Sequence, residues 1–157
     1  MHKLARRVRF SINPFLAKDS TGFNSYCSKP AGEGLSVFFE LTVELAGAVD
    51  SETGFVVNVA DIDQTIRRNV VPVFAEHIRG HFREGKHIGL SEIADLLKKG
   101  GDKLKGKFAK AIVDKLSLSL NPFRKVAIDC KESGMIYFSE KFDFAATHKL
   151  WNEDFTE

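Results

Sequence analysis

Between Ser36 and Leu45 the sequence alternates without a break. Val37, Phe39, Leu41, Val43 and Leu45 fall on one side of an extended chain, and Phe38, Glu40, Thr42 and Glu44 on the other. Side chains of a strand point to opposite faces with period two, so this run reads as a long antiparallel strand with one buried face. A face of that kind needs a second layer to cover it. The chain has 157 residues, 43% of them hydrophobic, enough for one domain with its own core. Fourteen phenylalanines against one tryptophan and two tyrosines suit a sheet covered on one side by helices.

The neighbouring segments extend this reading. Arg7-Val8-Arg9-Phe10-Ser11-Ile12 alternates in the same way and ends at Asn13-Pro14, because proline donates nothing to a ladder. Leu16 to Gly34 is rich in glycine, serine, asparagine and proline and predicts a long loop. Gly47, Asp50 and Gly54 predict a turn, after which Phe55 to Val59 resumes extended structure. Asn58 or Asp61 is placed to cap a helix carrying Ile62, Ile66 and Val70, and Pro72 should kink or end its first half. A second helix is expected from a Ser91 cap, with Ile93, Leu96 and Leu97 as its first stripe. Leu104, Phe108, Ile112 and Leu116 form the next, with an interruption at Gly100-Gly101. Lys125 to Cys130 and Met135 to Phe144 read as strands joined in a hairpin at Ser133-Gly134. The predicted architecture is α+β: a four-stranded antiparallel sheet with two helices on one face and two open edges. Such edges invite closure by other subunits into a barrel.

Charge and composition exclude several classes. A net charge of +2, from 23 basic and 21 acidic residues, lacks the surplus of a nucleic-acid binder. The longest basic cluster, Lys98 to Lys110, is broken by Gly100, Gly101 and Asp102 and reads as a solvated helix face. No apolar run approaches the roughly 20 residues that cross a bilayer, and no apolar segment follows the basic start as a signal peptide requires. Cys27 and Cys130 are too few for a disulfide framework. A cytoplasmic protein with reduced thiols is expected.

The segment Glu44 to Asp61, ELAGAVDSETGFVVNVAD, resembles the 6-pyruvoyl-tetrahydropterin synthase family, which includes the 6-carboxytetrahydropterin synthases of queuosine biosynthesis. Family members carry a "G-x-V-D-x-x-T-G-M-V-x-D-F" turn between a long strand and the first helix. The resemblance implies a T-fold whose subunits join through sheet edges as a homo-oligomeric barrel. A second match, Phe142-Asp143-Phe144-Ala145-Ala146-Thr147-His148-Lys149-Leu150, is similar to the family's opening strand "F-x-F-x-A-x-H-x-L". In the family that strand is N-terminal and its histidine ligates zinc. Its position here implies a tandem: residues 1–140 as one T-fold domain, and 141–157 as the opening strand of a second repeat. A C-terminal extension that ends by chance in these residues is the plainer alternative.

The family binds zinc through three histidines, one on the first strand and two in an "H-G-H" opening the second. Aligned here, those positions hold Pro14, Leu35 and Val37, so the resemblance implies that this repeat has lost its metal and that zinc enters the intact tandem protein with His148. The family's catalytic cysteine and Asp-His pair correspond to Cys27 and to Glu76-His77, and its pterin-anchoring carboxylate to Asp129, or to Glu132 if the register slips. For each a bland reading stands beside it: a tolerated thiol, a surface Glu-His pair, an outward residue of an edge strand. His77 and His81, four apart, have the spacing of a metal-binding pair. Two solvent-facing histidines on a polar helix end are the commoner case, and no third ligand is identifiable from sequence. The activity implied is lyase chemistry on a small pterin, 7,8-dihydroneopterin triphosphate, with no nucleic-acid or membrane partner. Two rivals are a catalytically inactive repeat that completes the barrel or binds a pterin without turnover, and a metal-free sister activity such as dihydroneopterin aldolase.

Overall fold

The computed structural model describes residues 1–16, 35–131 and 135–145. Five strands form one antiparallel sheet in chain order: β1 (His2–Ile12), β2 (Val37–Gly47), β3 (Ala111–Ser119), β4 (Arg124–Asp129) and β5 (Ile136–Glu140). Three helices lie between β2 and β3 in sequence: α1 (Val59–Asn69), α2 (Val71–Glu84) and α3 (Leu90–Leu104). They cover one face, where Val8, Phe10, Leu41, Val43, Leu116, Leu118, Val126 and Ile128 meet Ile62, Ile66, Phe74 and Leu97 in a single buried cluster. The other face is polar; it carries Arg7, Arg9, Glu40 and Thr42, with Arg7 and Arg9 both paired to Glu40.

β1 and β2 pair over their whole lengths, from His2 opposite Gly47 to Ile12 opposite Val37. The register between β2 and β3 shifts at Glu44/Leu45 and leaves Asp114 as the extra residue of a bulge. The bulge turns this carboxylate inward, where it is 7% exposed and held by Lys3 at 2.7 Å and Lys131 at 2.5 Å. One side chain thereby ties the start of β1 to the end of β4. Buried charge is stable only when paired in this way.

The turn after β2 is stapled by Asp50. Its Oδ1 accepts the backbone N–H groups of Glu52 and Thr53, its Oδ2 accepts Lys110 Nζ at 2.9 Å, and Gly54 supplies the left-handed φ of 71° that the turn needs. The motif that carries the family resemblance is therefore a backbone-shaping turn.

The structure refines or corrects the sequence reading in five places. Phe55 to Val59 is no strand: Asn58 caps α1, its side chain accepting the Ala60 N–H at 2.9 Å. The proline break is real, but it yields two separate helices meeting at Val70, with Pro72 in the first turn of α2. Gly100-Gly101 does not interrupt α3, which is capped at Gly89 rather than Ser91 and runs unbroken from Leu90 to Leu104. Residues 111–119, read as a continued helix stripe, form β3, so the sheet has five strands and three helices accompany it. Ile112 and Leu116 are four apart by coincidence; the governing period is the two-residue alternation of Leu116, Ser117, Leu118 and Ser119. The strand at Met135 to Phe144 is confined to Ile136–Glu140, and the expected hairpin turn lies outside the described residues.

Candidate functional site

β1 and β2 end side by side, where Ile12 pairs with Val37, and this is where the resemblance puts the zinc ligands. The donors do not fit a metal. Pro14 is buried, Leu35 is exposed, and neither they nor Val37 carry a side-chain lone pair. The strand end is sealed instead. Asn13 Oδ1 accepts the Phe15 N–H at 2.9 Å, Arg79 Nε donates to the Asn13 carbonyl at 3.3 Å, and the Phe15 ring meets Phe82 edge-on at 6.2 Å.

Beside this strand end, α2 and α3 bring together three side chains that could hold a metal. His77 and His81 occupy the same face of α2, one turn apart, with ring centroids at 4.0 Å. Glu92 enters from the first turn of α3, its Oε1 at 2.8 Å from His81 Nε2 and 3.5 Å from His77 Nε2. The three donor atoms lie within 4.8 Å of one another. Each has a structural reason for its position. Glu92 Oε2 accepts the Gly89 N–H at 2.8 Å, which caps α3 and leaves Oε1 free to turn toward the histidines. That hydrogen bond, with a further contribution from His81, holds the Glu92 carboxyl below the usual carboxylate range. His81 Nδ1 lies 3.1 Å from the His77 carbonyl oxygen. A carbonyl only accepts, so Nδ1 carries the hydrogen and Nε2 is the atom directed at Glu92. His77 Nε2 is buried and has no hydrogen-bond partner.

A cavity of about 1300 Å³ lies at the other end of the sheet, between the close of β2 at Gly47, the last turn of α3 and the start of β3. Asp129, Cys130 and Lys131 line one wall. Lysines there are committed to carboxylates: Lys105 to Asp102 at 2.7 Å and Lys110 to Asp50 at 2.9 Å. Burial, reinforced by the carboxylates of Asp129 and Asp114, pushes the Cys130 thiol up to about 11. The convergent donor set is not in this cavity but at the helix junction about 20 Å away along α3, at about 1.5 Å per residue.

The residues singled out from sequence are dispersed. His77 is at the cluster, whereas Glu76 is exposed on α2, because consecutive helical residues do not face each other. The carboxylate beside His77 is Glu92. Asp129 ends β4, fourth of the strands, accepts the Lys131 N–H at 2.8 Å and opens on the cavity. Cys27, Glu132 and His148 lie outside the described residues. Glu92 was missed, although its signal is present in the sequence: a glutamate three residues after a helix-starting glycine is a capping pattern.

No protein-family model and no curated protein matches this sequence. Among solved structures the chain is similar to the 6-pyruvoyl tetrahydropterin synthase of Caenorhabditis elegans, at 15% identity, with 82% of this chain and 93% of that one covered and a TM-score of 0.45. Among the described residues no helix is long and apolar enough to cross a membrane.

Proposed function

We propose that this chain is a pterin-synthase-like T-fold repeat that has shed its own zinc centre and works as the scaffold half of a tandem protein. Lyase chemistry on 7,8-dihydroneopterin triphosphate, in tetrahydropterin or queuosine-precursor synthesis, then belongs to the second repeat, where His148 is the first zinc ligand. Residues 1–140 form the first repeat and 141–157 open the second. Two kinds of support converge. The Asp50-Thr53-Gly54 turn runs into a capped helix as the resemblance requires. The observation that carries the reading is at the β1–β2 end, where Pro14, Leu35 and Val37 replace every expected donor and Arg79 closes the strand end over Asn13. The outer strands β1 and β5 leave two sheet edges through which copies would join into a barrel.

The decisive experiment is turnover of 7,8-dihydroneopterin triphosphate by the intact gene product, with and without His148→Ala. Turnover lost in the variant upholds the tandem lyase. A zinc-loaded intact protein with no turnover favours the second reading, a repeat that completes the barrel or binds a pterin without converting it. Glycolaldehyde release without metal would identify an aldolase-type sister activity instead.

A further inference from the structure

We infer that His77, His81 and Glu92 form a binding site for a divalent transition-metal ion, zinc being the probe of choice, that clamps α2 to α3. This site is separate from the β1–β2 end and from His148, so it stands or falls independently of the tandem reading. Three features of the cluster point to a cation between the donors.

The first is the set of distances. Zinc bonds to imidazole nitrogen and carboxylate oxygen are about 2.0–2.2 Å, so tetrahedral ligands stand about 3.3 Å apart. His81 Nε2 and His77 Nε2 lie 2.8 Å and 3.5 Å from Glu92 Oε1, which brackets that spacing, and all three donor atoms lie within 4.8 Å of one another. The second is the orientation of His81. Its Nδ1–H donated to the His77 carbonyl at 3.1 Å is the outer hydrogen bond that metal-ligating histidines make, and it aims Nε2 inward. Nε2 then faces a carboxylate oxygen at 2.8 Å. Two lone pairs at that distance repel unless a proton or a metal ion lies between them. The third is His77 Nε2, buried beside the same oxygen without a hydrogen-bond partner. A proton on His81 satisfies one contact and leaves His77 Nε2 at 3.5 Å from Glu92 Oε1 with no hydrogen bond; a metal ion would satisfy all three donors at once.

The donor chemistry selects the ion. Two imidazoles and one carboxylate suit zinc, cobalt, nickel or iron rather than calcium or magnesium, which prefer all-oxygen sites. Glu92 Oε2 is held by the Gly89 N–H, so the carboxylate serves through one oxygen only. Three protein ligands leave a position for water or for a ligand oxygen. The residue after His77 is Ile78, buried in the core, where a hydrolytic H-E-x-x-H helix carries its glutamate base. The site thus lacks the base that such a helix supplies, and its role is to fix α2, which packs against β1, to α3, which packs against β3 and β4.

The test is zinc binding to the full chain by competition with a chromophoric chelator, together with the visible spectrum of the cobalt form. One ion per chain is expected, with affinity falling at least about tenfold in His77→Ala and in His81→Ala, a drop of the size that altered metal sites show. His148→Ala should leave this affinity unchanged. Glu92→Gln keeps an acceptor for the Gly89 N–H, so α3 stays capped while the charge is lost, and binding should again weaken about tenfold. Histidine-ring NMR of the unmutated chain gives a readout that needs no variant: zinc should shift the Nε2 resonances of His77 and His81. Absence of zinc binding, binding that survives the His77→Ala/His81→Ala double variant, or unmoved ring resonances would overturn the proposal and leave a protonated His81–Glu92 pair.

Discussion

Gly100 on α3 lies so close to Val70, the hinge between α1 and α2, that a Cβ built on it would sit 3.0 Å from Val70 Cγ1. The missing side chain is what lets the helix layer close over the sheet. Gly101 faces the sheet side, where a Cβ would make ordinary contacts, 3.4 Å from Cys130 Sγ and 3.7 Å from Ile128 Cδ1 and Leu116 Cδ1.

This contact separates two substitutions that propensity alone would treat alike. Gly80, also inside a helix, has nothing within 4 Å of its Cβ position. Gly80→Ala should stabilise the protein by about 0.5–1 kcal/mol through the lost backbone entropy of the unfolded chain. Gly100→Ala gains the same term, but it must push Val70 aside in a packed core, and overpacking costs about 1–3 kcal/mol. A net loss of about 1 kcal/mol is expected. Urea denaturation of both variants is the check; a Gly100→Ala protein as stabilised as Gly80→Ala would show that Val70 yields freely.

The same pair of glycines marks where the sequence was legible and where it was not. Strands β1, β2 and β4 were readable because one face of each meets the helices and the other does not, so the two-residue period survives in the residue types. The Asp50 turn and the Asn58 cap were readable because both act through local backbone hydrogen bonds. Gly100-Gly101 misled because glycine breaks helices in isolation, whereas here it serves a contact with residue 70, which no local pattern reveals. The helix stripe drawn through Leu104, Phe108, Ile112 and Leu116 ran past the real boundary, where α3 ends at Leu104, Lys105 leaves the helical conformation and Gly106 takes a φ of 70°. The candidate site was half legible. His77 and His81 announced themselves by spacing, but Glu92 joins them only through the contact of the first turn of α3 with the last turns of α2, a tertiary fact.

Asp63 is 2% exposed and grips Arg6 through both oxygens, with Nε to Oδ1 and Nη2 to Oδ2 each at 2.9 Å. Removing one partner strands the other in a low-dielectric site, so Asp63→Ala should cost about 3 kcal/mol. The pair itself is replaceable in part: the double variant Arg6→Met/Asp63→Leu should recover some of that loss, because it leaves no unpaired Arg6 charge, although half-buried Arg67 also loses the attraction of Asp63. A double variant no more stable than Asp63→Ala would show that the pair contributes more than its own desolvation.

Acid should weaken the turn after β2. The Lys110 ammonium, aided by the Thr53 and Glu52 N–H groups, lowers the Asp50 carboxyl to about 2. A folded value below the unfolded one means the stabilisation is fully present above the ordinary carboxylate range, and is lost as pH falls from about 4 toward about 2. Asp50→Asn keeps the Oδ1 acceptor but not the charge. The stability gap between the two proteins should therefore hold from about pH 7 to about pH 5 and close by about pH 2, and added salt should shrink it because the site is exposed. A gap independent of pH would mean that the turn is held by its backbone hydrogen bonds alone.

Cys130, just beyond β4, sits against Gly101 of α3, where a Cβ would lie 3.4 Å from its Sγ. With the thiol pushed up to about 11, chiefly by burial, only about one molecule in a thousand carries the thiolate at about pH 8, against roughly a quarter for a free cysteine. In a Cys27→Ser background, iodoacetamide should alkylate the native protein on the order of 100-fold more slowly than a free thiol, and unfolding in denaturant should remove the difference. Gly101→Ala presses on the sulfur and offers a second readout. If the added methyl levers β4 from α3, labelling accelerates while the strand remains paired with β3. Fast labelling of the unmutated native chain would mean that this junction opens well before the protein unfolds.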